Sequence, residues 1–414
     1  MRRRSVDVLV VGAGPSGLAA AAAVRRLGLG EVLVVDRDRE PGGIPRHTHH
    51  TGFGLRDLRR VLSGPRYARA WLAAAERAGA EVLAETSVTD WCGPTTLRAI
   101  RPDGLWEFEA GAVILAQGCR ERPRSARLVP GDRPLGVFTT GSLQRAVFLG
   151  GLPVGQRAVV VGAEHVSFSA LLTLRRAGAR AVAMVTEHER DQTSLPLRLA
   201  TAVRMGVPIL TGARVTRIVG SRRVEAVEVT DLDRGNLTRI PCDAVVFTGD
   251  WIPEYELVRL GGLALDPGTR GPRIDDTGRT SRPGVFAVGN LVHAAEPADV
   301  ASRCGWDVAA AVRRYLEGGG SPFTPIPIEV EPPLTWVSPN AVCPGASGVP
   351  HGAFLLRADR FAGPGAIDVC QGERRLLSVR VRRLVPNRSI RVKADPLPSV
   401  DPAAGPVRVR FLEG

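Results

Sequence analysis

The sequence predicts an α/β fold in which two similar strand–turn–helix–strand units are nested, followed by a small C-terminal β domain. Three observations support this architecture. An apolar strand, a glycine-rich turn and a helix open the chain, and the same succession recurs from residue 156. An apolar segment at residues 284–290 returns to the first unit after the second has closed. Short alternating segments occupy the stretch after residue 350.

The first unit begins with an apolar strand at residues 6–11, followed by the turn Gly-Ala-Gly-Pro-Ser-Gly at 12–17. An alanine-rich helix at 18–27 and a second apolar strand at 32–35 come next, and Asp36 ends that strand. A glycine turn between a strand and a helix, with an acid after the second strand, is typical of a Rossmann-like dinucleotide-binding domain.

Each of these residues has a separate physical role in such a domain. Gly12 allows the tight turn, Gly14 lets the backbone approach a pyrophosphate, and Gly17 lets the helix pack on the strand. The helix N-terminus offers N–H groups and a partial positive charge to the phosphates. Asp36 lies where a carboxylate accepts hydrogen bonds from a ribose hydroxyl pair.

The second unit repeats the succession with a strand at 158–162, a helix at 167–177 and a strand at 181–185. Its glycine turn is degenerate, because Glu164 stands where backbone should meet the pyrophosphate. A carboxylate there repels phosphate and adds bulk. Glu187 keeps the position of the ribose-binding acid, so we expect a dinucleotide-type fold with a weakened nucleotide site. The alternative is that Glu164 swings aside and leaves the site usable.

The remaining segments complete this picture in chain order. We expect a helix with its apolar face at 67–75, a strand at 81–86, a β excursion at 88–109 and a buried strand at 112–116 in the first unit. The second unit continues with strands at 207–210, 215–218, 224–229 and 244–250, and the chain then returns through the strand at 284–290 and a helix at 299–316.

Prolines 322, 325, 327, 332 and 333 predict a linker, and tail strands are expected at 353–356, 376–381, 389–392 and 407–411. The first domain is therefore discontinuous and covers residues 1–145 and 251–320. The second domain covers 146–250, and the β-rich C-terminal domain covers 321–414.

The charge of the chain does not indicate a nucleic-acid partner. The formal net charge is +13, but nearly all the cations are scattered arginines and Lys393 is the only lysine. A nucleic-acid-binding surface usually gathers its cations into one stripe or patch. We therefore expect no nucleic acid, and the positive charge fits an anionic small-molecule substrate or an acidic partner better.

Six cysteines occur without a CxxC or another close pair. This spacing argues against a zinc ribbon, an iron–sulfur site or a redox dithiol, and it fits a reducing cytoplasm. Arg2, Arg3 and Arg4 precede an apolar stretch as in a signal peptide, but that stretch contains the glycine turn. We expect a cytoplasmic protein with no metal and no membrane association.

Two nested dinucleotide units, closed by the strand Phe-Ala-Val-Gly-Asn at 286–290, resemble the two-dinucleotide-domain flavoproteins of the pyridine nucleotide-disulfide oxidoreductase superfamily. The resemblance covers roughly the first 320 residues, more than one typical domain. Within that superfamily the segments 42–47, 122–123 and 141–144 resemble the flavoprotein subunits of opine oxidases, hydroxyproline dehydrogenases and hydrogen cyanide synthase.

This resemblance implies FAD in the first domain, whereas binding of NAD(P) in the second is doubtful because of Glu164. The superfamily usually has an acid at the position of Asn290, and an amide there still donates and accepts hydrogen bonds. The start of the helix near 299–301 is where relatives point backbone amides at the flavin. The implied cofactor-binding residues are Gly12, Gly14, Pro15, Ser16, Gly17, Asp36, Arg37, Gly43, Val88, Ala116, Gly118, Gly289, Asn290, Val300 and Ala301.

The loop at residues 41–50 holds the candidate catalytic groups. It has no cysteine where disulfide reductases have two, so no thiolate is available there for thiol–disulfide chemistry. It carries His47, His49 and His50 instead, and imidazole titrates near neutral pH. These histidines are candidates for a base or a substrate-carboxylate ligand. Alternatively, they cap the loop, lie in solvent or bind a metal, although their spacing suits a metal poorly.

The sequence therefore predicts an FAD-dependent oxidoreductase that accepts a hydride from a small CH–NH or CH–OH substrate. A partner dehydrogenase subunit or another electron acceptor would reoxidise it, within a multi-subunit complex in the first case. Two alternatives remain open. One is a NAD(P)H-dependent flavin reductase that passes electrons to a partner protein, and the other is a non-catalytic flavin-bearing scaffold subunit.

Overall fold

The computed structural model describes residues 1–319, 324–344, 349, 352–394 and 400–414. The chain divides into two compact units. Unit 1 comprises Met1–Arg46, Thr51–Cys119 and Pro253–Gly414, and unit 2 comprises His47–His50 and Arg120–Ile252. The fold is of the predicted α/β class, and the division into three domains at the boundaries given above stays a prediction.

The helices are named in chain order. They are α1 (Pro15–Arg26), α2 (Gly64–Arg77), α3 (Thr140–Phe148), α4 (His165–Arg176), α5 (Leu195–Arg198), α6 (Glu256–Leu260), α7 (Ala298–Asp307) and α8 (Ala309–Leu316). Short 3-10 turns lie at Ile44–His47, Arg124–Arg127 and Gly289–Leu291, and a π-helical turn at Leu199–Val203 follows α5.

The strands are named in the same way. The first are β1 (Arg2–Val11), β2 (Val32–Val35), β3 (Thr51–Phe53), β4 (Leu62–Ser63), β5 (Glu81–Leu83), β6 (Ser87–Trp91), β7 (Thr96–Arg101), β8 (Gly104–Leu115) and β9 (Cys119–Glu121). Then come β10 (Val137–Thr139), β11 (Arg157–Val161), β12 (Arg180–Val185), β13 (Ile209–Leu210), β14 (Ala213–Val219), β15 (Ala226–Asp231), β16 (Leu237–Pro241), β17 (Ala244–Phe247) and β18 (Trp251–Pro253). The last are β19 (Val285–Ala287), β20 (Ile326–Val330), β21 (Leu334–Ser338), β22 (Ala341–Val342), β23 (Ala353–Ala358), β24 (Gly365–Gln371), β25 (Arg374–Val381), β26 (Ile390–Lys393) and β27 (Val407–Glu413).

Unit 1 is built on a sheet in which β5, β2, β1 and β8 run parallel in that order. The closing strand β19 also pairs in parallel with β8, and β7 and β6 extend the sheet antiparallel. Successive side chains of a strand point to opposite faces. Val8 and Val10 of β1 therefore pack with the α1 and α2 side chains, while Leu9 and Val11 belong to a second core on the other face.

Unit 2 contains an all-parallel sheet in the order β10, β17, β11, β12, β13. Its core joins strand residues such as Val160 to Phe168 and Leu171 of α4. A separate antiparallel sheet of β14, β15 and β16 carries a second core. The repeated strand–turn–helix–strand succession is thus confirmed in both units.

The C-terminal β region, β20 to β27, forms one sheet in the order β22, β20, β27, β24, β25 and another in the order β21, β23, β26. One cluster of buried apolar side chains includes residues of both sheets, among them Val409 and Leu356. The prediction of a linker is wrong at Pro327, which lies within β20. Ile326 and Ile328 on either side of it are buried, and their burial stabilises the strand although proline has no N–H to donate. Pro322 lies outside the described residues.

The helix predicted at residues 299–316 is divided into α7 and α8 by Val308. The ψ angle of Val308 is −23°, which lies in the range of a tighter 3-10 turn.

Among the described residues, no helix combines the length and the apolar character needed to cross a membrane.

Helices α1 and α7 pack backbone to backbone at Gly305. A Cβ atom on Gly305 would lie 1.9 Å from the carbonyl oxygen of Ser16, closer than any real contact. This contact holds α7 against the helix that follows the first glycine turn.

We expect Gly305→Ala to lower the free energy of unfolding by about 1–3 kcal/mol, the usual cost of overpacking a core. The clash with backbone outweighs the gain in helix propensity, which is at most about 1 kcal/mol. Urea denaturation of the purified protein measures the change. Gly363→Ala is the matched control, since no atom lies within 4 Å of the added Cβ. Equal stability of the two variants would contradict the prediction.

Candidate functional site

The first glycine turn has the geometry that its sequence predicts. Gly12 adopts a φ of +108°, and its N–H donates to the carbonyl of Val35 at 2.8 Å. A Cβ on Gly17 would lie 1.9 Å from the carbonyl oxygen of Gly12, so only glycine fits there. Gly14 differs, because no atom lies within 4 Å of the position that its Cβ would occupy. The space over Gly14 is therefore open.

The N-terminus of α1 is also left open. Its N-cap residue is Gly14, no side chain makes a capping hydrogen bond, and no acid lies in the first turn. Pro15 opens the helix, where a missing N–H costs nothing. The unsatisfied N–H groups and the partial positive charge of about half an elementary charge at this end favour an anion.

The Asp36 carboxylate is bonded to the backbone on both sides. One oxygen accepts the N–H of Ala13 at 2.6 Å, and the other accepts the N–H of Asp38 at 2.8 Å. Burial raises the pKa of Asp36, and these two hydrogen bonds oppose that rise. Arg37 is mostly exposed and forms an ion pair with Glu254 at 3.2 Å. Asp36 thus joins the glycine turn to the end of β2, and ribose binding by Asp36 and Arg37 stays a prediction.

Two more glycines bring backbone close to the turn. Gly43 adopts a φ of +63°, and a Cβ on it would lie 2.9 Å from the Cα of Gly14. Gly289, at the end of β19, adopts a φ of +68°, and its Cβ would lie 1.9 Å from the hydroxyl oxygen of Ser16. The structure therefore brings the predicted residues of segments 12–17, 43 and 289 together in unit 1.

The segment after β8 adds buried polar atoms. Ala116 is buried and donates its N–H to Val11 at 2.8 Å, and Gly118 adopts a φ of +76°. Both amide atoms of Gln117 are buried and have no hydrogen-bond partner among the described residues. Val88 lies farther along the sheet, where it is half-buried and pairs with Ala99 of β7.

The predicted residues at the end of β19 and the start of α7 are engaged within the protein. The side-chain amide of Asn290 donates to the carbonyl of Glu296 and accepts its N–H, both at 3.1 Å. The N–H groups of Val300 and Ala301 both donate to the carbonyl of Pro297, at 2.9 and 3.0 Å. Because these N–H groups are already used within the helix, they are not free donors, and a role of Val300 and Ala301 in cofactor binding stays a prediction.

The residues of unit 1 fit FAD on three grounds. The space over Gly14 is open, the positive end of α1 has no side-chain cap, and the buried amide of Gln117 has donors and an acceptor to offer. A diphosphate at such a helix end is the usual binding mode of this turn.

The second glycine turn, in unit 2, is filled by the side chain of Glu164. Glu164 is the N-cap residue of α4 and is 6% exposed. The hydroxyl of Ser167 donates to its carboxylate at 2.7 Å. A Cβ on Gly162 would lie 2.7 Å from one carboxylate oxygen, and a Cβ on Gly249 would lie 3.2 Å from the carboxylate carbon.

The carboxylate of Glu164 thus occupies the space between the two glycines, where a pyrophosphate would need to approach. The acid at the ribose position is also engaged, since Glu187 forms an ion pair with Arg214 at 2.7 Å. The residues of this turn do not fit a pyridine dinucleotide as they stand.

The three histidines of the loop belong to unit 2. His47 is buried at the end of a 3-10 turn, His50 is half-buried, and His49 is exposed. The ring of His49 stacks on Phe148 with 4.0 Å between centroids and 7° between planes. Partial desolvation, and then the charge of Arg176, lower the pKa of His49 and so favour its neutral form. The catalytic role of all three histidines stays a prediction.

One cluster has ligand types suited to a metal. Asp275, Asp276 and Cys343 bring their ligand atoms within 4.8 Å of one another. Arg279 donates to Asp275 at 2.7 Å and to the Cys343 sulfur at 3.0 Å, so a cation already balances the cluster. We assign no metal to it.

A hydrogen-bonded hub in unit 1 was not predicted from the sequence. The carboxylate of Asp57 accepts from the Tyr67 hydroxyl at 2.5 Å, the Trp71 indole at 3.1 Å and the Ser302 hydroxyl at 2.5 Å. Burial raises the pKa of Tyr67, so it remains a donor at all ordinary pH values. The hub joins α2 to α7, and only the apolar face of α2 was visible in the sequence.

Comparisons with known proteins agree with this geometry. Residues 6–305 match the family model described as pyridine nucleotide-disulphide oxidoreductase. The chain is 27% identical to a ferredoxin–NADP reductase of Ignicoccus hospitalis, over 76% of this chain and 99% of that protein. It is 28% identical to an opine oxidase subunit of Rhizobium meliloti, over 73% of this chain and 62% of that protein. Thioredoxin reductase of T. acidophilum has the same fold, with a TM-score of 0.63 at 20% identity over 77% of this chain and all of that chain.

We expect Gly14→Ala to weaken FAD binding at least about tenfold, or about 1.4 kcal/mol, because the added methyl group occupies the open space over the turn. The flavin-free protein should unfold within about 0.5 kcal/mol of the wild type, since the methyl group meets no protein atom. FAD titration and urea denaturation measure the two quantities. Gly17→Ala is the comparison, because there the Cβ clashes with Gly12 and the protein itself is destabilised. Wild-type FAD affinity in Gly14→Ala would contradict the assignment.

Proposed function

The chain belongs to the pyridine nucleotide-disulphide oxidoreductase family and is a flavin-dependent oxidoreductase, and from that premise we propose that it oxidises a small CH–NH or CH–OH substrate without drawing electrons from NAD(P)H. When bound, FAD supplies the two-electron chemistry and accepts the hydride of the substrate. The residues of the chain bind and orient the cofactor and handle the proton of the substrate.

The contrast between the two glycine turns carries this proposal. In unit 1 the space over Gly14 is open and the helix end is uncapped. In unit 2 the buried carboxylate of Glu164 lies at the equivalent helix end and is held by Ser167. A phosphate brought there meets a like charge at short range in a partly desolvated site, where repulsion is much stronger than in water. Reduction by a pyridine nucleotide is therefore disfavoured.

Thiol–disulfide chemistry is disfavoured by the cysteines. The loop at 41–50 has none, and the six cysteines of the chain form no disulfide. Without the pair of cysteines that disulfide reductases carry in this loop, thiol–disulfide exchange is a poor source of electrons. We therefore propose a carbon-bound hydride of a small substrate as the source of electrons.

The loop histidines are our candidates for the proton transfer. A neutral imidazole accepts the proton that leaves the amine or hydroxyl as the hydride departs. The lowered pKa of His49 favours the neutral ring, which is the form that can accept a proton. His47 and His50 would orient the substrate or its carboxylate.

A partner protein or small acceptor would then take the electrons. The opine oxidase relative is, by its name, one component of a larger enzyme, and this chain spans 62% of its length. We propose a partner protein on this basis. A cytoplasmic location rests on the cysteine pattern alone and stays a prediction.

A second candidate function is a NAD(P)H-dependent reductase that passes electrons to a partner protein. It is favoured by the relative named ferredoxin–NADP reductase, of which the chain covers 99%. This candidate requires the Glu164 side chain to leave the turn of unit 2 before a nucleotide binds.

We expect anaerobic NADH and NADPH to leave the bound flavin oxidised in stopped-flow absorbance. Glu164→Gly should make reduction by one of them detectable, because it removes both the charge and the bulk at the turn. Glu189→Gly is the matched control, since that exposed glutamate lies in the same unit outside the turn. Rapid flavin bleaching of the wild type by either nucleotide would refute the proposal and favour the reductase.

We expect one of His47→Ala, His49→Ala and His50→Ala to slow flavin bleaching about 10²–10⁴-fold, the usual contribution of a general base. The donor is the compound that reduces the wild type in an anaerobic panel of amines, amino acids and polyols. His165→Ala, an exposed histidine at the start of α4, is the control. Unchanged turnover of all three variants would favour the non-catalytic scaffold.

A further inference from the structure

Residues of the C-terminal β region contact one loop of unit 1 at several points. This loop, residues 290–297, connects the closing strand β19 to helix α7. It begins at Asn290, one of the predicted cofactor residues, and ends at Pro297, the N-cap of α7. Any displacement of the loop therefore moves both the end of the closing strand and the positive end of α7.

The first contact is a buried ion pair between Glu296 of the loop and Arg357 of β23. The guanidinium nitrogen lies 2.8 Å from the carboxylate, and the two side chains are only 8% and 1% exposed. Ser389 joins them, since its hydroxyl donates to the carboxylate at 2.6 Å and accepts from Arg357 at 2.6 Å. A buried pair is favourable only when its geometry and hydrogen bonds are nearly complete, so it tolerates little displacement.

The second contact involves an unfavourable backbone conformation. Ala295 adopts a φ of +68°, in the left-handed region that L-residues with a side chain rarely occupy. Arg357 donates a hydrogen bond to the carbonyl of Ala295 at 3.0 Å. A conformation of this kind persists only where the surroundings hold it. Arg357 thus holds the loop by its backbone as well as by Glu296.

The third contact is aromatic. Trp336 of β21 stacks on His293 of the loop with 5.8 Å between centroids and 23° between planes. The guanidinium of Arg357 lies 5.3 Å from the centroid of the Trp336 ring. The same arginine is therefore packed by the aromatic ring that holds the loop.

Inside the loop, Glu296 is bonded back to Asn290. The Asn290 amide binds the N–H and the carbonyl of Glu296, each at 3.1 Å. The side chain of Glu296 faces Arg357 and Ser389, while its backbone holds Asn290. A continuous chain of hydrogen bonds therefore runs from β23 to the residue that follows Gly289.

We propose that the C-terminal β region positions the cofactor-binding end of unit 1 through this loop, with Arg357 as the positioning residue. The inference rests on FAD binding at the first glycine turn, as proposed above, and it assigns a role to the β region. We call the contacts of Arg357, Ser389 and Trp336 with this loop the clamp. Loss of the clamp lets the loop relax, which displaces Asn290 and the start of α7 together.

The test uses the full chain with a double variant, Glu296→Gln/Arg357→Met. The double change avoids the uncompensated buried charge that either single change would leave. Ser389→Ala is a milder second variant. Arg360→Gln is the control, because Arg360 is an exposed arginine shortly after the same strand.

Three quantities are measured for each variant: the FAD dissociation constant, the midpoint potential of the bound flavin, and the rate of amide hydrogen exchange of residues 290–301 in the flavin-free protein. We expect the dissociation constant of the double variant to rise about 2- to 30-fold, the range of coupling through such networks. The potential should become more negative as the dipole of α7 loses its alignment, and exchange at 290–301 should accelerate. Ser389→Ala should shift each readout in the same direction by less.

Wild-type affinity, potential and exchange in a folded double variant would overturn the clamp while leaving the proposed function intact. If the double variant fails to fold, Ser389→Ala decides by the same criteria. A wild-type protein that binds no FAD would contradict the cofactor assignment and this inference with it. Changes of equal size in Arg360→Gln would also overturn the specific role of Arg357.

Discussion

The structure depends on what occupies the positive end of a helix that follows a glycine turn. Such an end presents unsatisfied N–H groups and a partial charge, and something must satisfy them. The chain contains this arrangement twice. At α1 the N-cap is Gly14, and the protein supplies no side chain, which leaves the end to an anionic ligand. At α4 the N-cap is Glu164, which supplies a carboxylate of its own. The two helices have the same length and follow the same kind of turn. The N-terminus of α1 is nevertheless open to a phosphate, whereas the N-terminus of α4 carries a carboxylate that repels one. The flavin assignment and the proposed independence from NAD(P)H both follow from this difference.

The same constraint limits which reactions the chain can perform. A family defined by pyridine nucleotides and disulfides is represented here by a chain with neither a loop dithiol nor an open second turn. If the electrons do not come through unit 2, unit 2 acts chiefly as a structural element that also carries the loop histidines. Within unit 2 the exposed ring of His49 stacks on Phe148, which gives it a defined orientation.

Patterns that repeat over short distances could be predicted from the sequence, whereas long-range polar contacts could not. The apolar strands, the three glycines of the first turn and the repeat at residue 156 were visible because periodicity and backbone sterics act locally. The presence of an acidic side chain at the second glycine turn was also visible in the sequence, since the single residue Glu164 decides it. Pro327 was misassigned because pairing with β27 and burial of Ile326 and Ile328 stabilise a strand despite the proline. The Asp57 hub depends on Ser302, which is 245 residues away in the chain. Asn290 bonds to Glu296, six residues away in an irregular loop, and no periodic pattern marks either contact.

Arg357 illustrates the same limit in a residue of functional interest. In the sequence it is one of many arginines in a chain with a formal charge of +13, and nothing distinguishes it from Arg360. In the structure it is buried, bonded to Glu296 and Ser389, and packed on Trp336. Burying a guanidinium is costly, and replacing such a pair by apolar residues is often neutral or stabilising. Stability alone therefore gives a weak reason for keeping it. Its hydrogen bonds to the Glu296 carboxylate and to the carbonyl of Ala295 are directional, so they specify one loop conformation. Apolar packing is not directional and would allow several conformations. These contacts support the proposal that the β region fixes one conformation of the loop at residues 290–297.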